Sequence, residues 1–205
     1  MTAQISITPM ATTNAANLFN VNSAGFTQGD AQDDPAVKFA LSGGVLSSAA
    51  TAPLWGGLPI QELIPSAASQ PGTDTLGSTV LVATASAVPT GISVYNQAFG
   101  GITTPQSPAP LFSPGMSVNF YRFGSGARIP LPIDPALVSL DGNSIVETVY
   151  WDYSANRIVG TNPGTQAALP VKILKIATSG NKTVSYNSGT GNATWVDAAV
   201  ALCLI

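Results

Sequence analysis

The chain has 205 residues, of which 45% are hydrophobic and only 8% are charged, with a net charge of -3, no histidine and one cysteine. An ordinary globular domain carries roughly 25% charged residues. The composition excludes His-based catalytic triads, Cys/His zinc sites and disulfide frameworks, and seven Lys and Arg residues provide no basic patch for nucleic acid. The twenty glycines and sixteen prolines instead predict an all-β chain with at most one or two short helices.

The first thirty residues are small and polar and contain few large apolar side chains. We interpret residues 1–30 as an extended amino-terminal arm, with a disordered terminus as the alternative. The candidate contacts of this arm with other subunits are Ile5, Ile7, Phe19 and Phe26. Residues 31–205 are predicted to form a single domain, either a β-sandwich or a jelly roll.

Strand patterns follow the arm. Val37, Phe39 and Leu41 alternate with smaller or polar residues and predict a half-buried strand, followed by a turn or bulge at Gly43 and Gly44. Further strands are predicted within residues 58–64, 79–84, 92–96, 116–123, 145–153, 157–160, 169–177, 182–186 and 194–205. Their inward faces are expected to include Val37, Phe39, Val80, Val82, Val118, Phe120, Val149, Trp151, Ile173 and Trp195.

Two local signals are sharper than the strand patterns. Asp134 followed by Pro135 predicts a short helix with an aspartate cap and proline at its first position, ended by Asp141 and Gly142. The glycine-containing segment at residues 187–192 predicts the turn of a β-hairpin, because glycine readily adopts the positive φ that such turns need.

Carboxylates are the remaining candidates for chemistry. Asp30, Asp33 and Asp34 form the only acidic cluster, and their spacing does not match an EF-hand, so a solvated loop is favoured over a metal site. A glycosidase needs a pair of carboxylates, and nothing in the sequence selects which two would form it. The candidates are Glu62, Asp134, Asp141, Glu147 and Asp152. We therefore predict no catalytic residue, no cofactor site and no metal site, and a chain that is not an enzyme.

The tryptophans and the cysteine have structural interpretations. Trp55, Trp151 and Trp195 lie in or beside strand patterns, which favours core packing over a sugar-stacking platform. Cys203 lies between two leucines and is predicted to be a small buried apolar residue. No secretory signal is visible, and the longest apolar run, residues 198–205, is far shorter than the ~20 residues of a membrane span.

The scarcity of charge also makes a positive prediction. A stable monomer usually has a surface that is about 25–35% charged. This chain must cover itself with Ser, Thr, Asn and Gln, or place much of its surface against other subunits. The second possibility is typical of an assembly component.

Several stretches of the chain resemble virion structural proteins of tailed bacteriophages, namely residues 33–44, 54–57, 115–128 and 134–142. The last third agrees at residues 149–152, 169–174, 184–187 and 193–195. The resemblance covers about residues 30–205. It implies a head-associated accessory protein of the capsid decoration, or cement, type, and proteins of this type are often jelly rolls or β-sandwiches.

This resemblance sets the functional expectations. We expect a decoration protein on the capsid surface of the virion, made in the host cytoplasm, that binds the major capsid protein and stabilises the head. It is expected to be a homo-oligomer, a dimer or trimer, without nucleic acid or membrane partners. The alternative is a head-fibre or tail/receptor-binding β module that contacts host glycans, and an enzyme that uses two carboxylates is a third possibility.

Overall fold

The computed structural model describes residues 25–31, 37–63, 78–95 and 109–205. These ranges are mostly β, which confirms the all-β prediction, and their helical parts are two short 3₁₀ helices, Lys38–Ala40 and Pro135–Leu140. No helix in the described ranges is long and apolar enough to cross a membrane. The strands are β1 (Leu41–Leu46), β2 (Pro59–Leu63), β3 (Ser78–Val82), β4 (Gly91–Val94), β5 (Ser117–Arg122), β6 (Arg128–Pro132), β7 (Tyr150–Asp152), β8 (Arg157–Val159), β9 (Lys172–Ala177), β10 (Thr183–Asn187), β11 (Asn192–Val196) and β12 (Val200–Leu204).

The first five strands form a closed barrel in the order β1-β3-β2-β4-β5. All neighbouring strands are antiparallel except β1 and β3, which are parallel. Closure leaves no free edge in this sheet, because every strand has a partner on both sides. The fully buried apolar side chains of these strands are Leu46, Ile60, Val80, Ile92, Val94, Val118 and Phe120.

Gly44 explains how such a narrow barrel closes. A Cβ at this position would lie 2.5 Å from the Ser78 carbonyl oxygen and 3.2 Å from both the Phe120 ring and Val80. Glycine is therefore needed where β1 approaches β3 while Phe120 fills the space beside it. The prediction of a turn or bulge at Gly43 and Gly44 is wrong, since both residues lie inside β1.

The second half of the chain adds a three-stranded antiparallel sheet, β6-β12-β9, and two hairpins, β7-β8 and β10-β11. The last strand, β12, is the central strand of its sheet. Cys203 on β12 is fully buried, as predicted, and burial raises the pKa of its thiol. The thiol is therefore held in its neutral, unreactive form.

The structure does not confirm a β-sandwich or jelly roll. The barrel is one sheet closed on itself rather than two sheets packed face to face. Among the described residues, a hydrophobic cluster runs from the barrel into the second half of the chain. The core prediction itself holds for five of its ten side chains, which are buried: Val80, Val118, Phe120, Val149 and Trp151. Four others are partly buried: Val37, Val82, Ile173 and Trp195.

The first predicted strand, around Phe39, is wrong. Lys38–Ala40 is a 3₁₀ helix and β1 begins only at Leu41, so Val37, Phe39 and Leu41 do not share one strand face. Val37 packs against the core, whereas Phe39 is 94% exposed. The alternation over five residues was too short to distinguish a strand from a helical turn.

The two sharper local predictions are confirmed. The Asp134 side chain accepts a hydrogen bond from the Ala136 backbone N–H (2.9 Å) at the start of the helix Pro135–Leu140. Strands β10 and β11 pair in register up to Asn187 and Asn192, and Gly191 in the turn has a φ of 71°. In both places the residues that determine the local structure are neighbours in the sequence, so a short sequence pattern is enough to predict it.

Residues 25–31, here called the strap, lie across the seams between the barrel, the β6 sheet and the β10-β11 hairpin. The strap contacts are Thr27 with Lys182, Asp30 with Tyr95, and the Gly29 N–H with the Pro130 carbonyl at 3.0 Å. The predicted arm ended at residue 30, so its final residues are packed on the body of the chain. Residues 1–24 lie outside the described residues.

Two buried amides fix the strap. Gln28 is 1% exposed, and its Oε1 accepts a hydrogen bond from the Val184 N–H (2.9 Å) on β10. Asn181 is also buried, accepts from the Phe26 N–H (2.9 Å) and donates to the carbonyls of Ala177 and Ala198. Because the Asn181 side chain accepts and donates all of these hydrogen bonds within the chain, it has a structural role.

An ion pair between Glu62 and Arg122 links strands around the barrel. Arg122 on β5 donates two hydrogen bonds to the Glu62 carboxylate on β2, at 2.8 and 2.7 Å, and a third to the Ser42 hydroxyl on β1 at 2.9 Å. Ser78 on β3 also donates to Glu62. The hydrogen bonds from Arg122, and then that from Ser78, lower the pKa of the Glu62 carboxyl group against the opposing effect of burial.

Replacing Glu62 with glutamine is expected to reduce the free energy of unfolding at neutral pH by about 1 kcal/mol or less, because Arg122 is half exposed to solvent. A carboxyl group whose pKa is lowered by folding stabilises above its unfolded pKa, and this contribution is lost as the pH falls through the folded value. Urea denaturation of both proteins should therefore give a difference that shrinks below the ordinary pKa of 4.5. Glu147→Gln, on an exposed loop, is the control and should change the free energy of unfolding little at neutral pH.

Candidate interaction surface

Phe39 is the most exposed large apolar side chain among the described residues, at 94%. Its 3₁₀ helix has no buried residue, while Val37 before it and Leu41 after it both pack against the core. The helix is thus fixed to the body at both ends and holds an aromatic ring in water. A full-sized ring held in this way costs hydrophobic free energy unless another surface covers it.

A second apolar surface is formed by β9 and the loop at residues 141–148. Every residue of this loop is exposed, including Ile145 and Val146, and Val146 is 71% exposed. A groove separates the loop from β9 and is called the β9 groove below. Its apolar lining includes Ile145, Ile173, Leu174 and Ile176, and its charged lining is Asp141, Glu147 and Lys175.

A β-bulge explains why Leu174 lies in this groove. On β12, Leu202 pairs with Lys175 while the next residue, Cys203, pairs with Ile173. Leu174 is therefore the extra residue on β9, and both it and Lys175 are exposed. Bulges change the direction in which side chains point, and here the bulge turns a leucine out of the sheet alternation towards solvent.

The structure describes one of the four predicted contact residues of the arm. Phe26 is half-buried, and the Lys175 ammonium lies 5.7 Å from the centre of its ring, so Phe26 packs on β9 of its own chain. Ile5, Ile7 and Phe19 lie outside the described residues. The structure brings Phe26 next to the β9 groove, which the sequence did not predict.

The tryptophans lie in the interior or at a seam. Trp55 and Trp151 are buried, and Trp195 is half-buried with its ring centre 6.0 Å from that of Tyr95. Trp55 packs against Tyr186 with ring centres 5.4 Å apart, which joins the β10-β11 hairpin to the barrel. Burial of Tyr95 in this seam raises the pKa of its hydroxyl. These contacts favour the packing interpretation of the tryptophans over a sugar-stacking platform.

Three of the five carboxylates considered for glycosidase chemistry have structural partners. Glu62 binds Arg122, Asp134 caps a helix and forms an ion pair with Arg157 at 2.8 Å, and Asp152 accepts hydrogen bonds from Ser154 and the Ala155 N–H. The hydrogen bond from Ser154 is the main reason that the pKa of Asp152 is lowered. Within the part of the chain that the structure describes, no group of three or more Cys, Asp or Glu side chains could hold a metal ion.

The sequence does not distinguish these exposed apolar residues from core residues, because the same residue types occur in cores and at interfaces. The sequence pattern predicts that Phe39 faces inward and that Ile145 and Val146 belong to a strand, but this strand begins only at Tyr150. The only sequence signal for an exposed loop here was Asp141-Gly142, which marks the end of the helix. Comparison of the chain with protein-family models, with curated proteins and with solved structures gives no match.

Proposed function

We propose that this chain is a structural protein of a tailed bacteriophage particle, a capsid decoration protein that binds the lattice of the major capsid protein and stabilises the head. The observation that carries the proposal is the exposed apolar surface, above all Phe39 and Val146, on a chain in which only 8% of residues are charged. The resemblance of residues 30–205 to virion proteins of such phages supplies the identity of the particle.

The physical mechanism is binding in many copies. Each exposed apolar side chain adds about 1.5–3 kcal/mol when a partner buries it fully. A dimer or trimer that contacts neighbouring capsid subunits through several such groups gains avidity, and the stabilisation of the head grows with the number of bound copies. The buried, hydrogen-bonded strap and the closed barrel provide a rigid body on which these groups are held.

The alternative, a fibre or receptor-binding module that contacts host glycans, has less support. It requires exposed aromatic rings onto which sugars stack, and two of the three tryptophans are buried. A glycan array probed with the purified chain separates the two functions, because only the receptor-binding module predicts specific retention of sugars.

Cryo-electron microscopy of purified virions that carry a tagged copy of the chain tests the location. The proposal expects label at repeated positions on the head surface, and label confined to the tail would contradict it. The chain should have been made in the host cytoplasm and recruited from there, so purified chain should also bind heads that lack it.

Phe39→Ser is expected to weaken retention on such heads by about tenfold or more, since a buried aromatic anchor commonly supplies 2 kcal/mol or more. The melting temperature should hardly change, because Phe39 makes no core contact. Val88→Ser is the matched control: Val88 is 72% exposed on the connection between β3 and β4. Sedimentation of heads with bound chain measures both. Equal retention of wild type and Phe39→Ser would remove Phe39 from the contact.

A further inference from the structure

We propose that the face formed by β9 and the loop at residues 141–148 is an interface between two copies of this chain, in which residues 4–8 of each copy add as a strand to β9 of the other. This inference goes beyond the proposed function, because it concerns how copies of the chain bind one another and requires no capsid. It rests on four observations: an open strand edge, a groove beside that edge, the position of Phe26, and the exposure of Val146.

Strand β9 is an edge strand. It pairs with β12 on one side, and on its other side no described residue forms a backbone hydrogen bond with it. An open edge of this kind presents unpaired N–H and C=O groups to which an extended chain can add. The exposed Lys172 and Lys175 at this edge oppose pairing with other positively charged segments.

The β9 groove fits a strand that is apolar on one face. Ile173, Leu174 and Ile176 line it from the strand side, and Ile145 lines it from the loop side. The bulge at Leu174 supplies one of these side chains. An added strand with apolar side chains at alternate positions would bury these side chains while its backbone pairs with β9.

Residues 4–8, Gln-Ile-Ser-Ile-Thr, have this pattern. In an added strand, Ile5 and Ile7 would share one face. Both are β-branched, and the segment has no charge that Lys172 or Lys175 would repel. The chain enters the described body at Gly25, and Phe26 contacts Lys175 of β9, so the arm starts beside the groove. Residues 9–24 can span at most about 55 Å, which is ample for reaching a second copy.

The exposure of Val146 indicates that a second copy, rather than the arm of the same chain, occupies the groove. Val146 adjoins Ile145 but does not line the groove, and it is 71% exposed. A strand within the groove alone would leave Val146 in water, whereas a second copy seated over the loop covers it. Because the chain enters the described body beside the groove, at Phe26, two copies that meet through this face can exchange arms reciprocally, which closes the contact as a two-fold dimer.

Cross-linking of mixed variants tests this arrangement. One full-length protein carries Ile5→Cys and a second carries Leu174→Cys, and they are mixed at high concentration and oxidised with glutathione disulfide. The native Cys203 is fully buried and does not compete. We expect a disulfide between the two different chains, formed at least about tenfold faster than with Val88→Cys in place of Leu174→Cys, because docking raises the local thiol concentration.

Two results would overturn the proposal. The first is a rate for the Leu174→Cys mixture no higher than for the Val88→Cys control. The second is that one chain carrying both Ile5→Cys and Leu174→Cys closes its disulfide internally while the mixture of single variants does not cross-link, which would assign the groove to the same chain. Because neither experiment contains capsids, failure of the decoration function would leave these outcomes unaffected.

Hydrogen exchange gives a second readout without new cysteines. The amides of β9 should become more protected as the concentration of the wild-type chain rises, and this dependence should disappear in Ile5→Ser/Ile7→Ser. The matched variant Ile5→Val/Ile7→Val keeps the strand pattern and should retain the protection. Protection of β9 that is independent of both concentration and the serine substitutions would contradict the exchange of arms.

Discussion

Replacing Trp151 with alanine is expected to reduce the free energy of unfolding by about 3–5 kcal/mol, the range for large aromatic residues removed from a core. Trp151 is 1% exposed and belongs to the hydrophobic core cluster of the described residues. It lies on β7 opposite Ile158 of β8, and Ile158 in turn forms a bridge with Ile133, the residue after β6. Loss of the indole therefore leaves a cavity where the β7-β8 hairpin meets the β6 sheet.

Trp151→Phe separates the effect of volume from that of the indole N–H. The Nε1 of Trp151 is buried and has no hydrogen-bond partner, so phenylalanine removes an unsatisfied donor that costs about 1–3 kcal/mol while it keeps much of the volume. Urea denaturation should give a loss well below that of the alanine variant. Equal losses for both variants would mean that the shape of the indole, and not the size of the cavity, determines the stability here.

The features that the sequence predicted correctly depend on neighbouring residues. Asp134 and Pro135 specify a helix start because the cap and the fixed φ act within one turn. The turn at residues 187–192 is specified in the same way. Burial of Val118, Phe120 and Trp151 also followed from local alternation, since a side-chain period of two places alternate residues on the same face of a strand.

Closure of the barrel could not be predicted in this way. The parallel pairing of β1 with β3 skips β2, and β1 pairs with β5 across more than seventy residues. No short sequence pattern specifies the register between strands that lie so far apart in the chain. Gly44 carries the relevant signal, but only once Ser78 and Phe120 are known to lie against it, so the sequence alone favoured a turn.

The candidate surface was missed for a different reason. Hydropathy predicts that an apolar side chain will be buried but does not say whether its own chain or a partner buries it. Phe39 and Val146 look like core residues in the sequence and are exposed in the structure. Only the structure shows that these two side chains are exposed. The residues at both ends of the Phe39 helix pack against the core, while the Phe39 ring itself lies in solvent.

Replacing Gly29 with alanine is expected to destabilise the chain by roughly 2–5 kcal/mol, the sum of overpacking and of strain in the left-handed region of φ. Gly29 has a φ of 72°, and a Cβ there would lie 2.2 Å from the carbonyl carbon of Gly56 and 2.5 Å from the Gly57 nitrogen. The colliding atoms are backbone atoms and cannot rotate away. The strap cannot retreat either without losing the Gly29 hydrogen bonds to Pro130 and Tyr95.

Gly115→Ala is the matched control, because Gly115 has a φ of 84° and a Cβ there would meet no atom within 4 Å. It should lose only the backbone strain, about 1–2 kcal/mol. Urea denaturation of both variants isolates the collision, and limited proteolysis should show new cleavage at the strap in Gly29→Ala alone. If the two variants lose equal stability and the strap stays protected in both, Gly29 is not packed against Gly56, and the strap does not join the barrel to the second half of the chain at this point.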